Sequence, residues 1–481
     1  MISYKPVFLV LGFLLSKLAL FMYIPFLMAV VTGTQGALDF GLSAIITHIG
    51  GLVCVAIGGK TSIALKVKDA FLVTTLVWVL GSAFASLPFV FINEISFTNA
   101  YFETMSGITT TGSTVLAGLD NMAPSILLWR SLLQWFGGVG FIVMAIAILP
   151  MINVGGMRLF QTESSDWSTK SAPRMKSVAK SILSVYLLLT FLCVMSYLLS
   201  GMTVFDAINH ALTTVSTGGY STTDASMNGF SSMAHWVAII FMFAGGMPFI
   251  QFVAAINQKS LSCLVKDAQI RAYFKLVVAL SLVVACWLAL KLDYPLIDAI
   301  RIATFNIVTV MTTTGFALDD FSSWGSLPTI LFCFVLLMGA CSGSTSGGFK
   351  IFRIQIATSL LKKQVFQLVH PSGVFTLRYN KARLSDSIVQ GVTAFAFVYA
   401  LTIIFIAMLL AIIGLDPVTS LSGAITSVAN VGPGLGSIIG PTGNFSTLPD
   451  AAKWILSLGM LMGRLEILTI VVVLSPCFWR I

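Results

Sequence analysis

Nine long apolar stretches, at 7–31, 38–58, 71–92, 126–150, 181–200, 236–256, 273–292, 388–413 and 454–475, constrain this chain more than any other feature. A tenth, at 327–361, is interrupted. A helix of about 20 apolar residues crosses the roughly 30 Å hydrocarbon core of a bilayer, so each stretch is long enough to span one. With 57% hydrophobic and 9% charged residues over 481 positions, the chain lacks the polar side chains to cover a water-soluble globule of its size. It reads as an all-α polytopic membrane protein with ten transmembrane helices. The seven cysteines show no CxxC, the four histidines no ligand spacing, and no nucleophile has a base nearby, so neither an enzyme nor a cofactor in this chain is expected.

The formal charge of +9 does not point to nucleic acid, because the basic residues fall in alternate loops. They are Lys60, Lys66 and Lys68; Arg158, Lys170, Arg174, Lys176 and Lys180; Lys259, Lys266, Arg271 and Lys275; and Lys350, Arg353, Lys362, Lys363, Arg378, Lys381 and Arg383. The positive-inside rule makes those loops cytoplasmic. The first apolar run is too long for a signal-peptide core, so "MISYKP" reads as a retained cytoplasmic start, and both termini are expected inside. The opposite loops hold Glu94, Glu103, Asp120, Asp206, Asp224, Asp319, Asp320, Asp416 and Asp450, a negative vestibule for an arriving cation.

One unit recurs four times: basic segment, apolar run, short helix-like stretch, Thr/Gly-rich turn, second apolar run. The turns are "ITTTGST" at 108–114, "VSTGGYS" at 215–221, "MTTTGFA" at 311–317 and "ANVGPGLG" at 429–436. Gly112, Gly219, Gly315 and Gly432 are 107, 96 and 117 residues apart. The second apolar runs, "QWFGGVGFIVM", "FMFAGGMPFIQF", "VLLMGACSGS" and "LGMLMGRLEIL", share a small-residue break. Each unit leaves the cytoplasm and returns to it, so the four are parallel repeats related by rotation about the membrane normal. The expected division is an N-terminal transmembrane hairpin at 1–59 and pore repeats at 60–170, 171–265, 266–380 and 381–481.

Rotation brings four Thr/Gly turns to one axis. A cation stripped of water needs several oxygens at close range, and stacked carbonyls from four loops supply them. Glycine permits the φ > 0 that aiming successive carbonyls inward can require. The short helix before each turn directs its negative C-terminal dipole at the same point. The candidate ion-binding residues are Thr110, Thr111 and Gly112; Thr217, Gly218 and Gly219; Thr313, Thr314 and Gly315; and Asn430, Val431 and Gly432. In the fourth turn Gly434 competes with Gly432 for the alignment.

At these residues the chain resembles the bacterial Trk/Ktr and plant HKT family of potassium transporters over about 60–481, and its extra N-terminal hairpin is similar to the Trk type. The resemblance implies four outer-helix, pore-helix, inner-helix repeats, with Gly112, Gly219, Gly315 and Gly432 as filter glycines. It implies potassium uptake across the bacterial inner membrane, a homodimer, and a TrkA-like cytosolic regulatory subunit that carries NAD and ATP. A serine at the first glycine marks sodium-preferring plant relatives; here all four are glycine, which favours potassium and its congener rubidium.

In the third inner segment Pro328 to Met338 is only 11 residues, about 16 Å of helix, before "GACSGSTSGG". Irregular backbone at that depth must border the pore. The resemblance makes Gly339, Ala340, Cys341, Ser342, Gly343, Ser344, Thr345, Ser346, Gly347 and Gly348 an intramembrane gate; a helix-packing face is the alternative. "GSTSGGFK" is no phosphate loop, since Phe349 separates glycine from Lys350 and a membrane helix precedes it. Arg464 lies mid-way along the last apolar run, where a charge is costly. Beneath a cation filter it would raise the barrier to passage; pairing with an acid on another helix is the alternative. Glu466, about 200° around a continuous helix, is not expected to be its partner. A sodium- or proton-coupled symporter of the same fold and a secondary solute transporter remain the competing functions.

Overall fold

The computed structural model describes residues 3–60, 65–147, 172–380 and 382–480. Arg158, Lys170, Lys381 and the expected 170/171 repeat boundary lie outside the described residues. Among the described residues, six helices are long and apolar enough to cross a membrane: Tyr4–Thr32, Ala37–Gly58, Val67–Ile92, Ser177–Leu199, Ala268–Lys291 and Asp386–Ile412. Two bent pairs, Ser232–Gly245 with Phe249–Gln258 and Asp450–Arg464 with Leu468–Leu474, each make one broken span. The helix Pro124–Ala147 and the interrupted segment beginning with Ser326–Leu337 bring the spans to ten.

The first two helices form a hairpin that closes on small residues. A side chain on Gly12 would come within 2.6 Å of the Gly51 carbonyl, and one on Gly58 within 2.9 Å of Leu9, so backbone approaches backbone as packing in lipid favours. The hairpin rests on the first outer and inner helices. Beyond it the order outer helix, short helix, inner helix recurs four times.

The short helices are Phe97–Ile108, Val204–Val215, Leu296–Met311 and Pro417–Ala429. At 12 to 16 residues they are too short to span a bilayer and enter it only part-way. Capping starts three of them: Ser96, Thr203 and Asp416 side chains accept from the N–H groups of Asn99, Asp206 and Thr419. Polarity runs opposite to a soluble protein. Phe191, Phe274 and Phe397 on outer helices are exposed, whereas Ser106, Thr213, Thr309 and Thr426 on the short helices are buried.

The small-residue breaks of the inner segments have a common cause. A side chain on Gly137, Gly245 or Gly463 would collide with or crowd the carbonyls of Ile108, Val215 and Val428, the last residues or next-to-last of three short helices. Glycine is the residue that lets an inner helix lie directly on a short-helix end. Just past these points the second inner segment bends by 91° at Gly246–Pro248 and the fourth by 115° at Leu465–Ile467. Pro248 cannot continue the helical ladder, which accounts for the first bend. The third segment opens at Met338, and helix resumes at Ile351. The last span is therefore broken, where the sequence predicts continuous helix over 454–475. Lys68 Nζ donates to the Phe478 carbonyl at 2.9 Å, joining the fourth repeat back to the first.

Candidate functional site

All four short helices end in the same motif. Thr110, Thr217, Thr313 and Asn430 have φ of 55°, 53°, 55° and 56°, in the left-handed region. The N–H of the following residue returns to the carbonyl five positions back: Thr111 to Ser106, Gly218 to Thr213, Thr314 to Thr309 and Val431 to Thr426, at 2.8 to 3.0 Å. These are Schellman caps, whose left-handed position is normally glycine. Three β-branched threonines there cost about 1–2 kcal/mol each, and asparagine less. Backbone held in such a conformation by its surroundings is a mark of a functional site.

Two residues further on, Gly112, Gly219, Gly315 and Gly432 take φ of 89°, 79°, 82° and 110°. Gly434 does not have positive φ, so Gly432 is the structural counterpart of the other three. The four glycines interlock. A Cβ on Gly112 would strike the Gly218 carbonyl, on Gly219 that of Thr314, on Gly315 that of Val431, and on Gly432 that of Thr111. Each glycine thus abuts the carbonyl preceding the next glycine, and the fourth returns to the first: a closed ring in chain order. Ser113 Oγ donates to the Gly432 carbonyl at 2.9 Å across the first and fourth turns.

The side chains divide by position. The hydroxyls of Thr111 and Thr314 lie 2.7 Å from those of Thr109 and Thr312, and the Thr111 hydroxyl also accepts from Asn430 Nδ2 at 3.0 Å, so it is the carbonyls of these two residues that abut the ring glycines. Among the described residues, Thr110 Oγ1 and Asn430 Oδ1 are buried without a hydrogen-bond partner. Thr217 and Thr313 bond instead to the loop at 339–348.

That loop lies directly against the ring. Thr217 Oγ1 and Thr345 Oγ1 are 3.0 Å apart, and Thr313 Oγ1 accepts from the Gly347 N–H at 2.6 Å. A side chain on Gly347 would collide with the Ala429 carbonyl and lie 3.0 Å from Asn430 Cβ. The loop is tied to the bend in the second inner segment: Cys341 N–H donates to Gly246, Thr345 N–H to Gly245, and Gly343 accepts from Phe249 N–H. Ser344 and Ser346 hydroxyls meet at 2.8 Å, and Ser342 N–H donates to Gln269. Gly339 N–H and the Phe349 carbonyl close the base of the loop at 3.0 Å, and Gly348, at φ 68°, packs there against Met338; Ala340 is buried.

Arg464 ends its helix and is 1% exposed. Nη1 donates to the Thr345 carbonyl at 2.9 Å, Nη2 to the Gly137 carbonyl at 3.2 Å, and the guanidinium stacks over Phe141. It therefore bridges the loop to the first inner helix, and neither of these contacts is with an acid. Glu466 pairs with Arg353 at 2.5 Å. The sequence places Lys350 and Arg353 in a cytoplasmic loop; the structure buries both, with Lys350 Nζ donating to the Ser346 carbonyl and Oγ. Because the helix stops at Arg464, the angular relation of a continuous helix does not hold for Glu466.

On the opposite side the four glycines open into a cavity of about 280 Å³ that also borders Arg130, Asp224 and Asn444. Asp224 belongs to that vestibule. Glu103 does not supply free charge to it: fully buried, it accepts from Arg130 Nε at 2.9 Å and from Val115 N–H at 2.9 Å.

The family model of the TrkH cation transport proteins matches residues 43–480. The chain belongs to that family. It is 46% identical to the Trk system potassium uptake protein TrkI of Halomonas elongata, over 99% of this chain and 97% of the relative. It is 36% identical to the Trk system potassium uptake protein TrkH of Vibrio parahaemolyticus, over 99% of this chain and 100% of the relative. The crystal structure of the potassium transporter TrkH from Vibrio parahaemolyticus superposes with a TM-score of 0.93 at 34% identity, covering 100% of both chains.

Within this TrkH-family fold, sequence reasoning passes over Arg130, Gln134 and Tyr220. Arg130 also donates to the Ser221 carbonyl and stacks on Tyr220, whose hydroxyl donates to the Glu103 carbonyl at 2.7 Å. An arginine and a glutamine one turn apart inside an apolar run, "WRSLLQW", are the available signal: polar groups at that depth need partners.

Proposed function

We propose that the chain carries potassium into the cell across the bacterial inner membrane through the four-turn ring. The observation that carries this reading is the interlocked ring of glycines with neutral carbonyls between them. The carbonyls of Thr111, Gly218, Thr314 and Val431 take the place of the ion's water, and Thr110, Thr217, Thr313 and Asn430 add oxygens on the inner side. Neutral dipoles suit a large, weakly hydrated monovalent cation, and the named relatives are potassium uptake proteins. Both termini are cytoplasmic in this reading, as the positions of the basic loops support.

The loop at 339–348 with Arg464 is the gate. Its contacts with Thr217, Thr313 and the fourth turn seat it against the inner side of the ring, in the way of an ion leaving it, and the arginine adds repulsion there. Opening requires those bonds to exchange for others, which a second chain can drive. A homodimer regulated by a TrkA-like, NAD- and ATP-binding cytosolic subunit fits this need.

Ion-replacement flux in liposomes, with and without that subunit, tests the reading: rubidium or potassium is expected to pass well above sodium. Equal sodium flux in the unaltered protein would overturn the selectivity claim. Thr313→Val removes the acceptor of the Gly347 N–H and is expected to raise resting rubidium flux about threefold to tenfold, the equivalent of one hydrogen bond. Unchanged resting flux would separate the loop from the ring.

A further inference from the structure

The second turn differs from the others at one position. The residues before the ring glycines are Thr111, Gly218, Thr314 and Val431, so the second alone lacks a side chain. Backbone conformation does not require this glycine, because its φ is not positive. Space does. A Cβ on Gly218 would overlap Gln134 Cδ and Oε1 and lie 2.9 Å from Gln134 Cβ.

Gln134 comes from the first inner helix and is fully buried. Its amide straddles Gly219: Nε2 donates to the Gly218 carbonyl at 2.6 Å and Oε1 accepts from Tyr220 N–H at 3.0 Å. A carbonyl on one side and an N–H on the other leave one orientation for the amide. One turn earlier Arg130 Nη1 donates to the Ser221 carbonyl at 2.9 Å. Aligned on the small-residue breaks at Gly137, Gly245, Gly339 and Gly463, the other inner segments carry Met242, Leu336 and Met460 at the position of Gln134, all buried and apolar. Where the turn keeps a side chain, the inner helix is aliphatic; where the turn has none, the inner helix supplies an amide.

We propose that Gln134 is a specificity-determining positioning residue of the ring, an inference that rests on the potassium-selective reading above. Anchored on both sides of Gly219, it fixes the reach of the Gly218 carbonyl. The hydrogen bond it donates also draws lone-pair density of that oxygen away from the axis, making the second quadrant the weakest-field ligand. Discrimination between potassium and sodium depends on carbonyl position and field strength, so loss of the amide admits the smaller ion.

The test is the rubidium-to-sodium uptake ratio in liposomes, measured beside maximal rubidium uptake. Gln134→Met reproduces Met242 and is expected to lower the ratio about tenfold, the worth of one strong hydrogen bond, with a smaller fall in maximal uptake. Gln134→Glu keeps an acceptor for Tyr220 N–H, offers no donor when ionised, and is expected to lower the ratio too. The double variant Gln134→Met, Gly218→Thr recreates the third-turn combination of Met242 and Thr314 and should regain most of it. If the single variants fail to fold, Gly218→Ala, which pushes the amide aside, carries the same expected loss. A wild-type ratio in every single variant overturns the role of Gln134 alone; an unaltered protein with no preference overturns the potassium reading instead.

Discussion

Gly219→Ala is expected to abolish the preference for rubidium over sodium while leaving the protein in the membrane. Two costs coincide. The alanine must hold a φ of 79°, about 1–2 kcal/mol, and its Cβ falls on the Thr314 carbonyl, an oxygen proposed to bind the ion. The carbonyl has to rotate or the turn has to widen, and either removes a ligand from the ring. The same change at the other glycines should follow the severity of the clash: Gly315 next, then Gly112, and Gly432 least, where the Cβ would stand 2.7 Å from the Thr111 carbonyl. Gly112→Ser, with the hydroxyl found in sodium-preferring plant relatives, should narrow the preference without abolishing it. The measurement is the uptake ratio of the two ions in liposomes for the four alanine variants. A retained ratio in Gly219→Ala would remove the ring from the selectivity argument.

Arg464→Ala has the second large expected effect, a rise in resting flux of about tenfold or more in the protein reconstituted alone. It deletes two hydrogen bonds that hold the loop to the first inner helix and a positive charge beneath the ring. Arg464→Lys separates these contributions, because it keeps the charge but cannot fork between the Thr345 and Gly137 carbonyls. Its resting flux should fall between the wild type and the alanine variant. Shortening 339–348 should act in the same direction as the alanine change. Currents or uptake at the wild-type level in all three would dismiss the gate.

Several features of the site are legible along the chain itself. The four glycines at 107, 96 and 117 residue spacing are the four that interlock. The 11-residue stub from Pro328 to Met338 anticipates a loop inside the membrane, and helix does end at Leu337. These signals are readable because they are local: helix length, small-residue runs and repetition survive without knowledge of neighbours. The failures share one cause. Glu103, Arg353 and Glu466 read as ordinary loop or helix charges, and their burial depends on partners 27 and 113 residues away. A charge count along the chain assigns sides of a membrane and says nothing about which charges neutralise each other.

By itself, the sequence determined that this protein spans a membrane many times, that four parallel units build it, and that four polar turns meet on their axis. Hydrocarbon leaves a long apolar run few choices besides a helix, and parallel repeats can close only by rotation. Tertiary structure alone decided how those turns act. Threonine avoids the left-handed region when left to its own preferences, so Thr110, Thr217 and Thr313 adopt it only because packed helix ends and the adjoining turns hold them there. The choice of Gly432 over Gly434, the bond from Asn430 Nδ2 to the Thr111 hydroxyl and the reach of Arg464 to Thr345 have the same origin. Each is set by contact between repeats that lie far apart along the chain.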